Sequence, residues 1–166
     1  MITINKSEIK YLLFAGLLGM FTAFMCPMKK TDGKSLEYSP PSILYRIVWP
    51  ILYLLFGISW ILSRRLEPSC DLYYFSTSIL LSTWLILYSC LKQKYLAIYN
   101  LLIIICLLFC CTAHGNRISK ILIYPLITWC LFALLMNKDI VKNDFTIDIY
   151  RTKYPDLFNK INQYSS

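Results

Sequence analysis

Five stretches without a single Asp, Glu, Lys or Arg divide this chain: residues 11–28, 47–63, 72–91, 95–113 and 121–137. Each approaches the length a helix needs to cross the hydrocarbon of a bilayer. Inside a membrane every backbone amide must be paired within its own segment, so stretches of this kind fold as helices. The expectation is an all-α integral membrane protein, a single five-transmembrane-helix bundle spanning residues 1–142. A connection at 29–46 reads as a lid over the bundle, and 143–166 reads as a polar C-terminal tail with at most a short surface helix.

Composition agrees: 57% of the residues are hydrophobic and 16% charged. The net charge of +8 is no sign of a nucleic-acid partner, because the basic residues sit beside span ends, where anionic lipid attracts them. The lipid bilayer is the expected partner. An odd number of spans places the termini on opposite sides. Lys6, Lys10, Arg64, Arg65, Arg117 and Lys120 fall on the N-terminal side, leaving eleven of the seventeen Lys and Arg for the other, so the C-terminus is expected in the cytosol.

In the first span, Ala15, Gly19 and Ala23 recur at every fourth residue, a face that lets another helix approach closely, either within the bundle or in a homodimer. The second follows Pro40-Pro41 and sets Trp49, Tyr53, Phe56 and Trp60 along one stripe, with Pro50 tolerable only near a first turn. Lys92-Gln93-Lys94 makes the third and fourth spans antiparallel neighbours, and Pro125 is expected to bend the fifth. Asn100 is the amide deep in a span, either a site residue or an interhelical clamp. Seven cysteines, an odd number, argue against a disulfide framework.

Motifs of conventional catalysis are missing: there is no phosphate loop, no Ser-His-Asp set, no CxxC, and the nine acids all lie outside the spans. No catalytic residue is assigned. His114 follows Cys110 and Cys111 by about one turn, but a structural metal needs further ligands, so no metal site is expected and the histidine reads as interfacial. What remains is aromatic. Trp49, Tyr53, Trp84, Tyr88, Tyr99 and Trp129 can line an apolar pocket, whereas Trp60 and Tyr95, near span ends, read as interface-belt or core aromatics.

Two blocks carry a resemblance. Pro40-Pro41, Trp49, Leu52-Tyr53 and Gly57 resemble the second-helix signature of the translocator protein family, also called TspO or tryptophan-rich sensory proteins. About seventy residues on, Tyr124-Pro125-Leu126-Ile127-Thr128-Trp129, Phe132-Ala133 and Asn137 are similar to its fifth-helix pattern. The resemblance implies a five-helix protein that binds porphyrin or haem, and in animals cholesterol and synthetic ligands, in a cavity closed by the first loop. Its location would be the outer mitochondrial or another intracellular membrane in a eukaryote, or the inner membrane in a bacterium. Carried over by position, the ligand-binding residues would be Tyr45, Trp49, Tyr53, Trp84, Asn100, Ile103, Trp129, Ala133 and Met136, with Arg46 at the mouth to pair a propionate. Porphyrin or haem is then a ligand, and no cofactor is required.

The chain departs from that family's third-helix Asn-Trp-x-Trp-Pro-Pro, having Leu81-Ser82-Thr83-Trp84-Leu85-Ile86, and has Leu96 and Asn100 where a Trp and an acid are usual. The losses bear on porphyrin degradation, the enzymatic alternative, more than on binding. The expected function is a receptor or carrier for tetrapyrroles or similar flat lipophilic molecules, in transport or sensing; the alternative is a cholesterol- or lipid-handling protein or scaffold.

Overall fold

The computed structural model describes the backbone of residues 5–26 and 42–153, and the side chains of 5–26, 47–138 and 141. Within these residues the chain forms five helices: α1 (Ile9–Met25), α2 (Ser42–Arg64), α3 (Asp71–Leu85), α4 (Lys94–Ala113) and α5 (Arg117–Lys153). A 3-10 turn at Pro68–Cys70 leads into α3, and a π-helical turn at Ile86–Cys90 ends that span. The protein is a five-helix membrane bundle. Four spans are long and apolar enough to cross a bilayer. The fifth, α1, has 17 residues and is about 26 Å long at the helical rise, a little under the hydrocarbon thickness.

The helices pack as a ring in the order α1, α2, α5, α4, α3 and back to α1. At the end where α1 begins, Arg65 pairs bidentately with Glu8 at 2.6 and 2.7 Å, Arg64 pairs with Asp71, and His114 Nδ1 lies 2.7 Å from Glu67 Oε2. These pairs set the start of α1 beside the end of α2, and the end of α4 beside the start of α3. Just inside, Tyr74 ties three helices together. Its hydroxyl lies 2.9 Å from Ser59 Oγ and 2.8 Å from Ser63 Oγ, while Ser59 Oγ donates to the carbonyl of Ser119 at 2.9 Å. Ser59 has one proton and spends it on Ser119, so Tyr74 must donate to Ser59 and Ser63 to Tyr74. The hydroxyl chain therefore runs in one direction.

Small residues bring α1 against α2. Gly19 leaves room for the Tyr53 ring, which stands 2.2 Å from where a Cβ would be, and a Cβ on Gly57 would lie 3.0 Å from the Leu12 Cα. Ala15 and Thr22 are buried beside Gly19, but Ala23 is exposed, so the third member of the expected every-fourth-residue face is replaced by Thr22. The Thr22 hydroxyl bonds back to the carbonyls of Leu18 and Gly19, which lets a polar side chain sit in this apolar contact.

Several local expectations are corrected. Pro50 lies well inside α2, which begins at Ser42; it leaves the carbonyl of residue 46 without its usual i+4 donor, a loss that membrane helices tolerate. Residues 143–153, expected in a polar tail, continue α5, making a helix of 37 residues, about 55 Å long. The expected lid residues up to 41, and the tail beyond 153, lie outside the described residues. The odd cysteine count concealed a bridge: Cys26, which caps α1, is disulfide-bonded to Cys90 at the end of the π-turn, with Cα atoms 5.4 Å apart. Trp60, open in the sequence to an interface-belt or a core reading, is a core residue. It is buried against Tyr74 at 5.7 Å and donates from Nε1 to Asp71 at 2.8 Å.

Candidate functional site

Towards the opposite end of the bundle, α2, α3 and α5 bring their tryptophans together. On α2, Trp49 and Tyr53 are one turn apart and stack at 5.6 Å, because i and i+4 side chains share a face. On α3, Trp84 stacks at 5.5 Å on Tyr88, which the π-turn carries. Trp49 is the hub: its ring lies 5.6 Å from Trp84 and 6.4 Å, edge-on, from Trp129 of α5. Trp129 in turn tilts against Phe132 at 5.7 Å. Three indoles from three helices thus face inward, with Trp84 only 3% exposed and Trp49 and Trp129 half-buried.

The polar atoms here are unusual. The indole N–H groups of Trp49 and Trp84, the Ser89 hydroxyl, the Asn100 Oδ1 and the Asn137 Nδ2 are buried without a hydrogen-bond partner among the described residues. Each buried donor or acceptor left in that condition costs about 1–3 kcal/mol. A protein keeps such groups where something else fills their valence, and each belongs to a helix that borders the interior. The set comprises indoles, a hydroxyl and amides, none of which gains or loses a proton near neutral pH. It can stack on a flat surface and exchange hydrogen bonds; it has no group for acid–base work.

Of the residues expected at the site, Trp49, Tyr53, Trp84 and Trp129 meet as described. Asn100 and Ala133 are buried on α4 and α5, Ala133 one turn beyond Trp129, and Met136 is half-buried. Ile103 does not join them. It is 52% exposed, because the buried stripe of α4 runs through Ala97, Asn100, Leu101, Ile104 and Leu108, and Ile103 falls on the opposite, lipid-facing side. Tyr99 turns outward for the same reason, at 64% exposure. The side chains of Tyr45 and Arg46, in the first turns of α2, lie outside the described residues.

Ser89 and Asn137 are buried, unpartnered polar groups that sequence reasoning did not name as site residues. Asn137 was visible only as the close of the fifth-helix pattern. Ser89, in the π-turn, carried no signal. His114 pairs with Glu67 and stacks on Tyr73 at 5.1 Å, at the far end of the bundle. Beside it, Ser69 and then His114 hold the Glu67 carboxyl below the usual carboxylate range.

No curated protein matches the chain. A family model described as the TspO/MBR family matches residues 11–142, which takes in α1 to the inner part of α5 and every indole of the cluster. By that match, over most of its length, the chain belongs to the TspO/MBR family.

Proposed function

We propose that the chain is a membrane receptor or carrier that holds a flat lipophilic ligand of the tetrapyrrole class, porphyrin or haem, against Trp49, Trp84 and Trp129. The observation that carries this reading is the coincidence of clustered indoles with unpartnered buried N–H groups on Trp49 and Trp84. A planar macrocycle supplies the π-surface, and carbonyl or carboxylate oxygens on its rim are acceptors for the indole donors. Asn100 offers an acceptor where the family's acid is absent, so among the described residues the site meets the ligand with neutral groups.

The test is titration of the purified protein, in lipid nanodiscs, with protoporphyrin, read from the shift of its Soret band. Each good aromatic contact contributes about 0.5–1.5 kcal/mol beyond burial, so Trp49→Leu is expected to weaken binding by about two- to twelvefold, and Trp60→Leu not at all. Equal affinity in wild type and Trp49→Leu would remove the proposed site. Saturable binding of cholesterol but not of protoporphyrin would turn the reading towards sterol handling.

A further inference from the structure

The Cys26–Cys90 bridge stands at the end of the bundle that also carries Lys92, Lys94 and Lys138. The distribution of Lys and Arg expects that end in the cytosol. Cytosolic glutathione keeps most thiols reduced, and a disulfide facing it is usually one that opens and closes. Charge pattern and bridge are compatible if the bridge is reversible.

The position of the bridge gives its state a consequence. Cys26 is the cap of α1, and Cys90 is the last residue of the five-residue π-turn, closed by Leu91 N–H donating to the Ile86 carbonyl at 2.9 Å. Within that turn, two residues before Cys90, Tyr88 stacks on Trp84, which lies against Trp49. Cutting the bridge frees the end of the turn from α1 and removes a restraint on Tyr88. The two sulfurs differ in access: Cys90 is exposed and Cys26 is buried. Glutathione thiolate therefore attacks the Cys90 sulfur.

We propose that Cys26 and Cys90 form a thiol–disulfide couple in exchange with glutathione, whose state sets the packing of Tyr88 on Trp84 and so the affinity of the tryptophan cluster. Reduction runs in two steps. Glutathione thiolate bonds to the Cys90 sulfur and the Cys26 sulfur leaves with the electron pair, taking a proton from water. A second glutathione thiolate then bonds to the glutathione sulfur of the mixed disulfide, releasing glutathione disulfide and the Cys90 thiolate, which is protonated. Oxidation is the reverse, with glutathione disulfide as the oxidant. The effect on ligand rests on the function proposed above; the couple itself does not.

The experiment equilibrates the full chain in nanodiscs across ratios of reduced to oxidised glutathione. The bridge is counted by maleimide labelling and mass spectrometry, the tryptophan cluster is followed by near-ultraviolet circular dichroism, and protoporphyrin affinity is measured at the two extremes. The bridge is expected to be half-formed within the cytosolic range of ratios, with loss of tryptophan ellipticity on reduction. Protoporphyrin affinity is expected to fall by roughly two- to tenfold, about one aromatic contact. Cys26→Ser and Cys90→Ala are each expected to show the reduced spectrum at every ratio. A bridge that survives a large excess of reduced glutathione, one that never forms in oxidised glutathione, or a spectrum identical in both states would overturn the proposal. If the spectrum follows the bridge and no protoporphyrin binds, the couple stands and the ligand reading falls. If protoporphyrin binds equally in both states, the coupling falls and the ligand reading stands.

Discussion

Gly19 and Gly16 lie three residues apart on α1 and make a matched pair of perturbations. A Cβ at Gly16 meets nothing within 4 Å, whereas at Gly19 it would lie 2.2 Å from the Tyr53 ring, which must retreat by about 1.2 Å to reach ordinary contact at 3.4 Å. Tyr53 is buried and stacked on Trp49, so it has little free space to enter. Overpacking of this kind costs about 1–3 kcal/mol. Both substitutions gain the same helix propensity, about 1 kcal/mol for Gly→Ala, and that gain cancels in the comparison. Gly19→Ala is therefore expected to be about 1–3 kcal/mol less stable than Gly16→Ala. Unfolding by SDS in mixed micelles measures the difference. Because Tyr53 rests on Trp49, Gly19→Ala should also alter the near-ultraviolet dichroism of the indoles, and Gly16→Ala should not. Equal stabilities within about 0.5 kcal/mol, with unchanged spectra, would refute the close approach of α1 to Tyr53 and the packing built on it.

Two further outcomes test the opposite end of the molecule. Tyr74→Phe removes the middle of the one-way hydroxyl chain, leaving Ser63 without its acceptor and Ser59 without its donor, and is expected to cost about 1–2 kcal/mol in the same unfolding assay, more than Ser63→Ala, which removes only the outermost donor; a greater cost for Ser63→Ala would contradict the assigned direction. The Arg65 side chain, and then the Asn5 backbone N–H, hold the Glu8 carboxyl down at about 2 against an ordinary 4.5. Its folded pKa is depressed, so its contribution to stability is complete above about pH 4.5 and is lost as pH falls towards 2. Carbon-13 titration of that carboxyl should give the low midpoint, and Arg65→Gln should raise it; a midpoint indifferent to Arg65 would break the assignment.

The number and nature of the helices were legible because lipid leaves a chain no other way to satisfy its backbone, and charge-free stretches of sufficient length record that demand directly. The aromatic stripe of α2 was legible from spacing: Trp49, Tyr53, Phe56 and Trp60 share one face of the helix, and Tyr53, Phe56 and Trp60 on it are buried. The phase of α4 was not. Inward Leu101 and Ile104 and outward Leu102 and Ile103 are equally apolar, so hydrophobic periodicity, which reports burial in water-soluble helices, says nothing about which face meets lipid. The Ile103 assignment rested on position in a resemblance, and the structure puts that side chain on the exposed face of α4.

The π-turn at Ile86–Cys90 leaves no trace in hydrophobicity either, since it alters the winding of an apolar run without changing its composition. With it went Ser89 and the approach of Cys90 to Cys26, for cysteine counts constrain pairing only where a disulfide framework makes the fold. Trp60 stayed open between interface belt and core because its partner, Asp71, lies at a helix start that sequence reading put among the loops. Parts of the site set by spacing along one helix were readable. Those set by helix winding and by contacts between distant segments were not.

The four tryptophans give one direct measurement of where a ligand sits. Nitrogen-15 spectra of the protein in nanodiscs contain one indole N–H resonance for each, assignable by single Trp→Phe substitutions. On titration with protoporphyrin, Trp49 and Trp84, whose N–H groups are buried without a partner among the described residues, are expected to shift saturably as they acquire an acceptor, while Trp60, already bonded to Asp71 at the far end, holds still. Movement of Trp60 alone, or stationary Trp49 and Trp84 at saturating ligand, would contradict the placement of the site.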